Sequence, residues 1–218
     1  AVWVWVWAWA AGQVSGSGSL AANAAGGTLT FGGSNTYSGG TTLGSGLVQA
    51  GRSSTGAITS GPFGTAGITV ASGATLDLKG STLANALTLG GNGTTGAGAL
   101  INSASTGATA SGPVTLAADT TVGTTGTGSL TFAGTVDGGY ALMVKSAADV
   151  AFNGAVGGTT PLASLTTDAG GRTLVGANIT TVGAQTYNDD VAVTGAVTFT
   201  TLGVQMAGTG ALATGLPA

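Results

Sequence analysis

The chain has 218 residues, a net charge of −3 and only 5% charged residues, against roughly 25% in an average soluble protein. With 43% hydrophobic residues and a mean hydropathy of +0.45, it is too apolar for disorder, which needs low hydrophobicity and high charge. Its four scattered cations, Arg52, Lys79, Lys145 and Arg172, make no phosphate-binding face, so no nucleic-acid partner is expected.

The absence of cysteine removes disulfides, thiolate catalysis and cysteine-based metal sites. No run reaches the ~18–20 apolar residues of a membrane-spanning helix, so no membrane span is expected. There is no initiator Met and no charged leader, which points to a processed form or an excised segment.

Residues 1–11 place all four tryptophans, Trp3, Trp5, Trp7 and Trp9, at period two. In an extended strand they share one face, with Val2, Val4, Val6 and Ala8 on the other. Both faces are apolar, so the strand needs a cover. Three roles fit: a cap over the first coil, a strand donated to a neighbouring molecule, or an aromatic row touching sugar or membrane. The four tryptophans are the candidate partner-binding residues. Residues 12–27, with Gly16-Ser17-Gly18-Ser19 at their centre, read as a flexible joint or as a turn-rich first coil.

From Leu29 to Leu78, short alternations of apolar residues and threonine are cut by Gly, Ser and Asn. Alternation predicts strands, and Gly-Gly and Asn-Thr breaks predict turns between them. The stretch carries Leu29-Thr30-Phe31, Asn35-Thr36-Tyr37-Ser38-Gly39-Gly40-Thr41-Thr42, Gly46-Leu47-Val48-Gln49-Ala50-Gly51 and Gly73-Ala74-Thr75-Leu76-Asp77-Leu78. Over these fifty residues it resembles the autotransporter-associated β-strand repeat of bacterial surface proteins. That resemblance implies the passenger domain of a secreted protein, folded as a right-handed parallel β-helix. It carries no catalytic residue to transfer.

The alternation continues through Leu87-Thr88-Leu89, Val114-Thr115-Leu116, Leu130-Thr131-Phe132, Val150-Ala151-Phe152 and Val191-Ala192-Val193. Phrases between Val150 and Val193, such as Phe152-Asn153-Gly154-Ala155-Val156-Gly157-Gly158, are similar to repeats of large haemagglutinin-like adhesins. Spacing is irregular, which predicts a degenerate solenoid over residues 28–202. At around twenty residues per coil it would hold about ten coils and reach ~50 Å. Its interior is expected to hold Leu, Val, Ile, Phe and Ala and no charge. Residues 203–218 lose the alternation and read as a weak cap or a frayed end.

Catalysis has few candidates, because the chain lacks His, Cys and Glu. Asp189-Asp190 is the one adjacent carboxylate pair, and with Arg172 it is the only arrangement to weigh for polysaccharide chemistry. On a strand, however, neighbours leave opposite faces. Gly91-Asn92-Gly93-Thr94-Thr95-Gly96 matches a nucleotide-loop pattern, but no helical stretch follows it, and Thr stands where a calcium repeat needs Asp. The sequence thus predicts an all-β, right-handed parallel β-helix without enzymatic activity or cofactor. It is expected to be secreted or displayed on a bacterial surface, with a structural or adhesive role. Self-association or neighbouring repeats are the expected partners, alongside a host-surface or carbohydrate ligand.

Overall fold

The computed structural model describes residues 2–3, 12–54, 56–208 and 213–214. The described chain is a β-solenoid. Every pairing between its strands is parallel, and its one helical element is the 3-10 turn Thr94–Gly96. Strand periodicity puts alternate side chains inside, and each coil buries them only by lying on the next.

Three rows of inward side chains run the length of the rod. On the first face Leu20, Thr41, Ile68, Leu87, Val114, Val136, Val156, Ile179 and Phe199 follow one another in register. On the second the row is Leu29, Val48, Leu76, Leu100, Val122, Val144 and Thr167. On the third it is Ser54, Leu83, Ala110, Phe132, Phe152, Val175 and Val193. Phe132 and Phe152, both fully buried, stack with centroids 5.2 Å apart and planes 12° from parallel. Register makes this stack: equivalent positions in successive coils meet face on, which suits aromatic rings once offset.

Coil length differs from the expectation. Register offsets run from 18 residues (Arg172 to Asp190) to 29 (Ser54 to Leu83), and the chain makes about eight coils, not about ten. At the usual inter-strand spacing the stack is ~40 Å long. The extra residues sit in turns such as 51–67, which the alternation pattern does not count.

The two flanking segments pair with the solenoid. Residues 20–27 belong to the strand Leu20–Phe31, and Val14, Gly16 and Gly18 accept backbone hydrogen bonds from Thr36, Ser38 and Gly39. This is the turn-rich first coil. Gly39 of the next coil allows the close approach: a Cβ there would stand 2.5 Å from Gly18 C. Past residue 203, Val204–Met206 pairs with Gln185–Tyr187, and Ala213–Thr214 with Ala192–Val193.

Charge does enter the interior. Asp77 is fully buried and Asp189 is 5% exposed. Both lie at bends, where turn amides and hydroxyls satisfy them. Asp77 accepts from the Lys79 and Ser103 amides (2.9 and 3.0 Å), from Ser103 Oγ (2.5 Å) and from Gln49 Nε2 (2.9 Å). No buried side-chain polar atom among the described residues lacks a partner, as a folded interior requires.

Close backbone approach between coils yields a test. A Cβ on Gly123 would collide with the carbonyl of Lys145 in the following coil, whereas one on Gly139 meets nothing. Gly123→Ala should lower stability by about 1–3 kcal/mol, the usual cost of overpacking. Gly139→Ala should be neutral or slightly stabilising. Urea midpoints of the two variants decide it.

Candidate functional site

The motif that carries the repeat resemblance is built into the coil. Asn35, 1% exposed, accepts from the Val14 amide (2.8 Å) through Oδ1 and donates to the Pro62 carbonyl (2.6 Å) through Nδ2. One side chain thereby ties together three coils. The Tyr37 hydroxyl lies 2.6 Å from Thr41 Oγ1, which donates to the Phe63 carbonyl at 3.0 Å. Burial pushes the Tyr37 phenol up to about 12, only partly offset by its bond to Thr41. Gly40 turns the chain at φ +86° into the next strand. Of the motif's eight residues, Thr36, Ser38 and Thr42 alone keep side chains free of these internal bonds.

Of the tryptophans, Trp3 belongs to the short strand Val2–Trp3, which pairs with Leu20–Ala21 in parallel register, Trp3 opposite Ala21. The N-terminal strand therefore lies on the first rung of the first face. Trp5, Trp7 and Trp9 lie outside the described residues.

Asp189, Asp190 and Arg172 do not converge on a groove. Asp189 turns inward and accepts from Thr167 Oγ1 (2.5 Å) and Thr173 Oγ1 (2.7 Å). Arg172 stands in register with Asp190 but sends its guanidinium to Asp149, 2.6 Å from Oδ2. Beside that pair lies an open, hydroxyl-lined groove of about 490 Å³ along three successive turns, bordered by Ser105, Thr127, Ser129 and Asp149. Among the described residues there is no helix long and apolar enough to cross a membrane and no cluster of three potential metal-ligating side chains. The Gly91–Gly96 pattern lies in the turn between the first face and the second, with the 3-10 element Thr94–Gly96 at its end.

Sequence reading missed two surface features. One is the C-terminal edge, where Leu202 (87% exposed), Val204 and Met206 stand in solvent and Val182 lies beside them. Val204–Met206 is the terminal strand of its sheet among the described residues. The other is an outward row on the first face: Ala21, Thr42, Thr69, Thr88 and Thr115, in register on five consecutive coils. The threonines were visible as the middle residues of Leu-Thr-Leu-type triplets. Their alignment depends on turn lengths that alternation does not reveal.

Burial raises the Asp189 carboxyl above the ordinary range; the two threonine bonds pull it back, and the nearby Asp168 charge pushes it further up. The folded state therefore holds this proton more tightly than the unfolded chain. Its contribution to stability is complete below the unfolded carboxylate value of about 3.9 and is lost as pH rises through the folded-state value. Asp189→Asn keeps the shape and removes the titration. The melting temperature of wild type relative to Asp189→Asn should fall between acid and neutral pH; a relative rise would contradict this assignment.

Compared with family models, curated proteins and solved structures, the chain matches none.

Proposed function

We propose that the chain is a structural, adhesive stretch of a secreted or surface-displayed bacterial rod. The observation that carries this reading is where the polar chemistry resides. Asn35, Tyr37, Thr41, Asp77 and Asp189 all close turns or join coils, and what remains outside is a long, nearly uncharged hydroxyl surface. That is the division of labour of a spacer, in which side chains hold coils together and length is the product. The resemblance to autotransporter and haemagglutinin-like repeats supports the same reading. Beads coated with the chain should adhere to host cells or to an immobilised glycan above an inert-protein control. Adhesion no better than the control would remove the adhesive half of the proposal.

A self-assembling fibre is the second reading, favoured by the apolar edge at Leu202, Val204 and Met206. An unpaired parallel strand accepts another chain readily, and the N-terminal strand that pairs with Leu20–Ala21 in the same molecule would pair with Val204–Met206 of the next. Filaments in negative stain, abolished by deleting residues 1–11 while the rod stays folded, are the expected result for this mode. Filaments that persist without residues 1–11 would sink strand donation.

A further inference from the structure

We infer that Asn92 is a modification site at which the chain alters its own side chain, turning a neutral carboxamide into a carboxylate through a cyclic imide. The turn between the first and second faces supplies the parts. Asn92 is exposed and precedes Gly93, so no side chain on residue 93 screens that residue's main-chain nitrogen from the Asn92 carboxamide. The Gly93 amide donates to no acceptor among the described residues, whereas its neighbour Thr94 donates to Thr75 Oγ1 at 2.8 Å. The Thr121 hydroxyl in the following coil donates to Asn92 Oδ1 at 2.9 Å. That bond draws electron density from the carbonyl carbon and stabilises the oxyanion that forms on attack.

The Gly93 nitrogen, giving its proton to water, bonds to Asn92 Cγ. The Cγ–Nδ2 bond breaks and the nitrogen leaves, reprotonated, as ammonia. Water then opens the imide. Attack at Cγ gives aspartate and restores the original peptide bond, while attack at the main-chain carbonyl carbon gives isoaspartate, whose backbone runs through the side chain. Water enters, ammonia leaves, and no oxidant or reductant is needed. Two other Asx-Gly pairs show what the structure adds to the sequence. Gly154, after Asn153, donates to the Phe132 carbonyl at 3.2 Å, and Gly138, after Asp137, donates to the Thr160 carbonyl at 3.2 Å. Each nitrogen is thereby tied to an adjacent coil, and closing the imide there first requires that bond to open. Asn153 is exposed like Asn92, so access to water does not separate the two sites; the hydrogen bond does. The product has a definite place. Asn92 and Asp119 line one cavity of about 100 Å³, and the reaction sets a second carboxylate there in a chain of net charge −3. The inference does not rest on the adhesive reading.

The test is site-resolved mass spectrometry of the purified full chain, incubated at neutral to mildly alkaline pH in buffer and, in parallel, in guanidinium chloride. Conversion is read from the mass shift of amide to acid in fragments covering Asn92 and Asn153, and isoaspartate from its enzymatic methylation. In buffer Asn92 should convert at least about fivefold faster than Asn153, the factor set by one backbone hydrogen bond. In guanidinium chloride the two rates should converge. Asn92→Gln should remove the fast product and its shift on anion exchange, with the circular-dichroism spectrum of wild type. Equal rates at the two asparagines in the folded chain, or conversion of Asn92 confined to guanidinium chloride, would overturn the proposal.

Discussion

Backbone hydrogen bonding between coils is the constraint on which this structure depends. The amides of Leu20, Thr41, Ile68 and Leu87 each donate to a residue of the following coil, the carbonyls of Gly40, Gly67, Ala86 and Pro113. A single coil therefore leaves its strand polar groups unpaired and its Leu and Val side chains half covered. Neither deficit closes locally, and both close together when the next coil is laid down. Glycine is abundant for the same reason. At Gly123 and Gly39 the neighbouring backbone occupies the space a side chain would need.

The corners are where this scheme meets chemistry. Turning the chain exposes amides and carbonyls that no strand partner reaches, and buried polar side chains take them up. Asn102 shows the pattern: Oδ1 accepts from the Gly80 and Ala104 amides, and Nδ2 donates to the carbonyls of Thr106, Gly128 and Ser129. Asn85 and Asp77 act similarly at other bends. A buried carboxylate at such a place is tolerated because its acceptors are filled by donors the turn already supplies. Asp189 is held by two threonine hydroxyls and its own backbone amide, but burial outweighs them, which is why its proton is held more tightly.

The fold was largely legible in the sequence, and the candidate surfaces were not. Alternation in Leu87-Thr88-Leu89 or Leu130-Thr131-Phe132 states both strand and inward face, because period two admits one burial pattern. Turn length is encoded less directly. The stretch from 51 to 67 holds Phe63 as a fully buried residue packed 5.4 Å from Phe31, yet nothing periodic marks it as part of a coil. That is why the number of coils was overestimated. The small residues between 12 and 27 have the composition of a linker, and only their pairing with 36–39 makes them a coil. The inward turn of Asp189 could not be read either, since its partners Thr167 and Thr173 lie one coil and one turn away. The threonine row required register across five coils, a three-dimensional property that no local pattern carries.

The account stands on coils being interchangeable units held by their neighbours, and an in-register deletion tests that most directly. Removing residues 114–135 takes out one repeat, since Val114 stands opposite Val136, and places Leu87 over Val136, Leu100 over Val144 and Ala110 over Phe152. The shortened chain should keep a β-type circular-dichroism spectrum and melt cooperatively at a somewhat lower temperature, whereas deleting the out-of-phase stretch 114–124 should abolish folding. If both deletions behave alike, whether both fold or both fail, coil-on-coil register is not what holds this protein together.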